Sequence, residues 1–554
     1  MKEKNGRVFF HGELGLWQWF DYPLSVDGFV WDFVGRIAGT HVDTVVLHMT
    51  WNYYSTKLKL EQYESETGSP LGLQGDHSTP ASPGSLTANN WRMLENAKLF
   101  AGRKIDLVAT LLAATHNAGL DFFAGIRMND VHHAQWDWHP KFWIDHPEFR
   151  IGDHPEYRLP RVGFREPGGA LKSQVDDRVP AALDFNHAEV RDYKLALIDE
   201  VARAYEVEGI ELDFTRHPFF FKPGEVPAGR PKMTEFMAAV KERLQQIGKE
   251  RGRPITLEVR VPPTLEACWR IGLDVRAWMA GNLVDIVTAT SYWHPDFGMP
   301  VEEFVAAAKG TSCKVFAGFE PSEMPALEDA AATARMMRAA ALAYWKSGVD
   351  GLHLFNSLVI SHYLRQEMPF LLEIGRPKTL EYLDKHYMIT RSSNYDDVAW
   401  FSYPKQLPKA LEEAPRGEGQ KFRLTVGDDL KKAVRLGFTP AVTLRLRLLN
   451  LTSDDQVEFK INGVPLNGGT CKSAFYPMGE SKGLWQYPFM ADPYFGTPGP
   501  YHWLEFPLTE GTWPSLGANE IEVVLRRRNP ALSEPLVVND VEVTIYYGRE
   551  ARSI

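Results

Sequence analysis

Through the first two thirds of the chain the spacing of hydrophobic positions switches repeatedly between two and about 3.6, which predicts strands alternating with amphipathic helices. Arg7 to Glu13 reads as a short strand, and Val26 to Ile37 sets Phe29, Val30, Phe33, Val34 and Ile37 on one helical stripe. Further strands are expected at Asp43 to Thr50, at Asp121 to Asp130, and from Gly209, where Ile210, Leu212 and Phe214 alternate with Glu211, Asp213 and Thr215. Four more follow at Ile255 to Val261, Val284 to Thr290, Lys314 to Glu320 and Gly351 to Asn356. Helical spacing falls between them, at Ile105 to Ala118, Glu189 to Tyr205, Thr234 to Arg251, Leu265 to Met279, Pro300 to Ala308 and Leu327 to Lys346. Eight strands separated by helices predict an α/β fold, the (β/α)8 TIM barrel. A doubly wound open sheet is the alternative, but no strand is followed by the GxGxxG phosphate turn.

Two long segments interrupt this rhythm. Tyr53 to Leu86 is rich in Ser, Pro and Gly, and Val131 to Asp184 is polar and aromatic. Loops of this length in an otherwise compact pattern are usually functional, and both are expected to rise over the mouth of the barrel. Past about residue 380 the period settles at two. Val442 to Leu448, Val457 to Gly463, Ile521 to Arg526 and Val541 to Tyr546 alternate between Gly, Pro and Asn turns, and Asn462-Gly463 is a hairpin signal. The expected organisation is a barrel over residues 1–378 and an all-β, jelly-roll-like sandwich over 379–554, which either buttresses the barrel or binds sugar.

Composition narrows the partners. With 44% hydrophobic and 24% charged residues the chain reads as ordinary globular protein, without the long apolar run of a membrane span. The net charge of −10 and the lack of a Lys/Arg block argue against nucleic acid. The charged start, Met1 to Arg7, leads straight into Val8-Phe9-Phe10, so the expected location is cytoplasmic, or secreted or periplasmic if a signal peptide has been removed. Cys268, Cys313 and Cys471 have neither metal-ligand spacing nor the density of a disulfide framework. Association into a homo-oligomer stays open. Aromatic residues are plentiful, with 16 Trp, and Trp and Tyr in a groove are what pyranose rings stack upon.

The chemistry gathers where strands would end. Arg127, Asn129 and Asp130 close the third strand, with His132 and His133 beyond. Glu211, Asp213, Arg216 and His217 close the fourth, and Glu258 and Arg260 share parity on the fifth. Tyr292, Trp293 and His294 follow the sixth, Glu320 ends the seventh, and His353 and Asn356 belong to the eighth, while His11, Glu13 and His48 lie on the first two. Any one of these reads as a satisfied core histidine or a solvated acid; together they predict a polar site with stacking walls at the C-terminal mouth. Glycoside cleavage needs a carboxylic acid on one side of the bond and a carboxylate on the other. Asp213 and Glu320, on strands whose tips lie across the mouth, can supply them, with Glu258 the rival to Glu320 as partner of Asp213. Arg127, Asn129, His132, His133, Arg216, His217, Arg260, Tyr292, Trp293, His294 and Asn356 are the candidate substrate-binding residues, and an arginine beside Asp213 would keep it ionised.

Metal chemistry competes less well. His11, Glu13, His48, Asp213 and His353 could converge, but no HxH or HExxH pair is present, so neither a metal nor another cofactor is expected. Schiff-base chemistry lacks a lysine at the C-terminal end of a strand. A non-catalytic carbohydrate-binding protein is the second hypothesis.

The line Ala182-Leu-Asp-Phe-Asn-His-Ala-Glu-Val-Arg-Asp192, the helix behind it, and Val207-Glu-Gly-Ile-Glu-Leu-Asp-Phe-Thr-Arg-His-Pro218 resemble the family 10-like glycosyl hydrolase group, whose fourth strand follows a "hpeVRdy" line and carries "DGihlDyiRyP". The resemblance spans about residues 5–375 as an order of motifs. It implies a (β/α)8 barrel acting on an oligo- or polysaccharide, with Asp213 in the active site. Glu208 stands where the motif has its first Asp, so that position is not expected to be catalytic. Phe459-Lys-Ile-Asn-Gly463 and Leu516-Gly-Ala-Asn-Glu-Ile-Glu522 look like a galactose-binding-like jelly roll of the kind often appended to glycosidases.

Overall fold

The structure is a computed structural model that describes residues 7–13, 22–49, 57–60, 63–65, 95–96, 99–131, 138–157, 160–161, 174–175, 179–291, 296–320, 330–357, 368–390, 402–474 and 501–548. Eight parallel strands close into a barrel: β1 (Arg7–Glu13), β2 (Thr44–His48), β3 (Asp121–Arg127), β4 (Gly209–Asp213), β5 (Thr256–Val261), β6 (Ile286–Thr290), β7 (Lys314–Phe319) and β8 (Gly351–Leu354). The helices that cover them include α1 (Leu107–Asn117), α2 (Ala188–Ala204), α3 (Val226–Glu250) and α4 (Ala330–Ser347). The expected fold class is the observed one. The expected helices differ in places: Val26 to Ile37 is an α-helical turn, Val26–Val30, that passes into a π-helical one, Trp31–Gly35; the helix expected from Thr234 starts at Val226; and Leu265 to Met279 is two short helices, Leu265–Arg270 and Val275–Ala280. Gly272 between them has φ +93, which stops the first, and Asp274 caps the second by accepting from the Ala277 N–H at 3.0 Å.

The strands read as near-continuous apolar runs because both faces are covered; Thr44–His48, Gly209–Asp213 and Ile286–Thr290 are buried at every position. Their inward faces form layers. At the bottom, Phe9, Val46, Phe123, Ile286 and Phe316 make a cluster of their own, with Phe9 edge-on to Phe123 and Phe316 at 4.9 Å. Gly209 and Gly351 make room for it: a Cβ at either would sit 2.4 Å from the ring of Phe123 or Phe316. Two residues further along each strand the interior becomes polar, and there the site begins. Glu208, just below β4, lies at the opposite end of the strand and is tied to the Phe122 N–H, His116 and Arg253.

The C-terminal strands form two antiparallel sheets. One runs β9 (Lys385–Met388), β17 (Val537–Tyr546), β11 (Ala441–Leu449), β15 (Tyr501–Leu508), β14 (Thr470–Ala474); the other runs β10 (Gln420–Val426), β16 (Gly517–Arg527), β12 (Gln456–Ile461), β13 (Val464–Leu466). The Asn462-Gly463 hairpin is present, with φ +49 and +80, the pair of left-handed residues that a tight β-turn of this hand requires. Alternate residues of both sheets, among them Phe422, Leu444, Ile521 and Val543, close over a second hydrophobic core. Ala339 of α4 belongs to that core, and Leu342 of α4 packs so tightly on Gly427 that a Cβ there would lie 2.7 Å from it.

The chain flanking the first strand of these sheets also bonds to the barrel segment beyond β6. Asp296, beyond β6, is buried and accepts from Ser291 Oγ (2.6 Å), Tyr403 OH (2.7 Å) and Lys405 Nζ, while the Phe297 N–H donates to Thr390 Oγ1 at 2.8 Å. Arg338 of α4 pairs with Glu373 through two bonds of 2.6 and 2.9 Å. No described helix is long and apolar enough to cross a membrane.

Candidate active site

Register places the chemistry. Gly125, Glu211 and Glu258 lie side by side on β3, β4 and β5, and Arg127, Asp213 and Arg260 lie side by side one step higher. Each strand therefore contributes to two tiers facing the barrel axis, since side chains two residues apart share a face.

In the upper tier Asp213 is wholly buried. Its Oδ1 accepts from the Thr215 N–H (2.8 Å), Thr215 Oγ (2.6 Å) and the Arg216 N–H (3.3 Å), and Oδ2 accepts from Arg260 Nη1 at 3.0 Å. The chain turn that ends β4 thus folds back onto the carboxylate. Burial, the largest single influence, would raise the Asp213 carboxyl; the charges of Arg260, His48 and Arg127 and the Thr215 hydroxyl together outweigh it and hold the carboxyl at about 2. The arginine hydrogen-bonded to Asp213 is Arg260, whose guanidinium lies 3.5 Å from the centre of the Phe355 ring. Arg127, level with Asp213 on the other side, donates to Asp130 at 3.1 Å.

Glu320, one residue past β7, accepts from Asn356 Nδ2 at 2.6 Å. Asn356 is held in turn: φ is +50, and its N–H donates to His11 Nδ1 at 3.2 Å. That bond leaves the proton of neutral His11 on Nε2, and burial together with nearby His48 and His353 keeps the imidazole uncharged. His11 stacks on Phe355 at 4.1 Å and meets His48 edge-on at 4.2 Å. Aromatic contacts and hydrogen bonds therefore run from Glu320 through Asn356, His11 and Phe355 to Arg260 and Asp213.

The lower tier holds Glu211, Glu258, His353 and Thr288, all wholly buried. His48 Nε2 lies 3.0 Å from Glu211 Oε1 and 3.9 Å from Asp213 Oδ2, so it joins the tiers. Glu258 Oε1 accepts from Thr288 Oγ1 at 2.6 Å and from His353 Nδ1 at 2.9 Å. Burial pushes the Glu211 carboxyl well above the usual range, and the charges of Glu258 and Asp213 push the same way.

Of the residues expected from sequence, Asp213, Arg260, Arg127, Glu320 and Asn356 gather at the strand ends. Glu258 lies a tier deeper, enclosed by Thr288 and His353. Asn129 is a staple: its amide donates to the carbonyls of Leu183 and Phe219, and its oxygen accepts from the Leu183 N–H at 2.9 Å. His217, with φ +54, stands with Nδ1 3.6 Å from Asp130 and accepting from the Val131 N–H. Arg216 is buried beside it. His132, His133, Tyr292, Trp293 and His294 lie outside the described residues, as does most of the segment from Tyr53 to Leu86. Sequence reasoning put Glu211 on the polar face of the fourth strand without giving it a role, named His353 only within a metal-ligand set that it set aside, and missed Thr288. The signal was there: Thr288 repeats the period of Ile286 and Thr290, and a polar residue at an inward strand position needs a partner.

No protein-family model and no curated protein sequence matches this chain. Solved structures with a similar course of the backbone include a Paenibacillus sp. cycloisomaltooligosaccharide glucanotransferase complexed with cycloisomaltoheptaose, 8% identical, covering 97% of this chain at a TM-score of 0.32. The chain spans 57% of that protein's length. The PgaB (BpsB) glycoside hydrolase domain from Bordetella bronchiseptica is 10% identical, with 67% of this chain and 98% of that one covered at 0.37. The noncanonic maltogenic α-amylase AmyB from Thermotoga neapolitana is 10% identical, with 97% and 99% covered at 0.33. Glycoside hydrolases thus stand among the structural neighbours, at identities and scores that carry no functional argument.

Proposed function

We propose that this protein hydrolyses O-glycosidic bonds of an oligo- or polysaccharide, with Asp213 and Glu320 as the carboxyl groups flanking the scissile bond. The observation that supports this reading is the fixed orientation of two acids at the tips of β4 and β7, three strands apart in a ring of eight: Asp213 by Arg260 and the β4 turn, Glu320 by Asn356. In this assignment Asp213, paired with Arg260, supplies the negative charge that attacks the anomeric carbon or takes a proton from water. Glu320, which accepts from the neutral amide of Asn356, supplies the proton to the leaving oxygen. Arg127, level with Asp213, and Arg216 and His217, from the turn beyond β4, bind sugar hydroxyls, or a carboxylate or sulfate on the ring.

A non-catalytic carbohydrate-binding role is the second reading, and one observation favours it: both oxygens of Asp213 are already engaged, by four donors in all. Turnover of an oligosaccharide panel separates the two. The hydrolase reading expects cleavage that falls by roughly three orders of magnitude or more in Asp213→Asn and in Glu320→Gln, with binding retained. Cleavage that survives both substitutions rules the assignment out, and binding without cleavage in the native chain selects the second reading.

A further inference from the structure

Below Asp213, the lower tier presents a geometry that the hydrolase reading does not use. Glu211 on β4, Glu258 on β5 and His353 on β8 are wholly buried, and one ligand atom from each lies within 4.8 Å of the other two. Each of the three side chains is anchored by one atom only. Glu211 is held through Oε1 by His48, Glu258 through Oε1 by Thr288 and His353, and His353 through Nδ1 by Glu258. The other atom of each, Glu211 Oε2, Glu258 Oε2 and His353 Nε2, has no hydrogen-bond partner. Three unpartnered polar atoms sealed in a barrel interior are expensive unless something binds them. Gly125 and Gly318, at the same level on β3 and β7, add no side chain to the space.

We propose that Glu211, Glu258 and His353 form a binding site for a divalent cation of the zinc class. His353 Nε2 and Glu211 Oε2 stand 3.4 Å apart without a hydrogen bond between them, and about 3.4 Å is the edge of a tetrahedron built on bonds of ~2.1 Å. With Nδ1 donating to Glu258, Nε2 is the ring nitrogen left to ligate. A carboxylate behind a ligating histidine, and hydrogen bonds from His48 and Thr288 behind the two ligating glutamates, are the outer contacts that fix metal ligands. One imidazole and two carboxylates suit zinc better than magnesium or calcium, which favour oxygen alone. The charge closes as well: a dication offsets two glutamates facing each other in a low-dielectric interior. With the ion bound, Glu211 holds His48, and His48 is the group that reaches up toward Asp213.

The test reads metal and stability rather than turnover, so its outcome is separate from that of the hydrolase reading. The full chain is purified, its metal content measured by inductively coupled plasma mass spectrometry, and the chelator-stripped protein titrated with Zn2+ alone, or Mg2+ alone, while thermal unfolding is followed. Glu211→Gln, Glu258→Gln and His353→Gln are carried in parallel; the glutamine replacements for glutamate keep the shape and remove the charge conflict, so the barrel folds without an ion. The expected result is about one zinc per chain at saturation, a Tm that falls on stripping and recovers with Zn2+ but not Mg2+, and loss of both zinc and the Tm response in the variants. A stripped native chain whose Tm ignores Zn2+ overturns the proposal, as does a Glu211→Gln chain that keeps a full equivalent of zinc. Should His353→Gln fail to fold, the native titration and the two glutamate variants still decide the matter.

Discussion

Replacing Arg260 by Met removes the guanidinium from Asp213 while keeping an unbranched stem to pack against Phe355. Both partners are buried, and the pair is joined at 3.0 Å. A carboxyl held at about 2 instead of the ordinary 3.8 stabilises the folded state by roughly 2.5 kcal/mol at neutral pH. That share is present above about pH 3.8 and is lost as the pH falls through 2. Without Arg260, burial dominates and drives the Asp213 carboxyl upward, so its charge opposes folding at neutral pH and the opposition fades on acidification. The expected loss in Arg260→Met is therefore about 3–5 kcal/mol at pH 7, the usual consequence of breaking a buried pair. Urea denaturation at pH 7 and at pH 4 should show the native and variant curves drawing together at the lower pH. In an Asp213→Asn background the same substitution should be milder by roughly 2 kcal/mol, because no buried charge is left alone. A loss below about 1 kcal/mol at pH 7, or an equal loss with and without the Asp213 charge, would refute the reasoning and leave the Arg260 to Asp213 contact without energetic meaning.

Two further substitutions probe the same interior. Arg127→Lys should keep the fold within about 1 kcal/mol and cut any turnover by tenfold or more, since lysine retains the charge without the planar fork; full activity in a folded variant would remove Arg127 from the site. Gly125→Ala places a methyl 2.3 Å from His48 Cδ2 and 3.3 Å from Glu211 Oε1, so it should lower stability by about 1–3 kcal/mol and disturb the contact of His48 with Glu211, measurable by thermal unfolding and by the histidine NMR titration.

Much of this was legible in the sequence because a parallel barrel repeats one local rule. Each strand is bounded by its helix neighbours, and a period of two assigns every side chain to the axis or to the helices, so Glu211 could be put on one face with Asp213, and Glu258 with Arg260, from alternation alone. The Asn462-Gly463 hairpin was equally local: the two residues that tolerate left-handed backbone stand at the turn. Turn chemistry also explains the one helix that divided, since Gly272 ends it whatever the apolar stripe beyond continues to suggest. What only the tertiary structure decided is partnership. Arg127 and Arg260 flank Asp213 at the same height, and alternation treats them alike; side-chain packing gave the 3.0 Å bond to Arg260. Asn129 has the composition of a sugar ligand, yet loops from Leu183 and Phe219, distant in sequence, close on its amide. Glu211, Glu258 and His353 come from strands up to 142 positions apart, His353 minus Glu211, and meet because a sheet of eight strands curls until its first and last edges pair. Periodicity along a chain fixes which way a side chain points, whereas its partner across the barrel depends on closure and register, which are properties of the whole sheet.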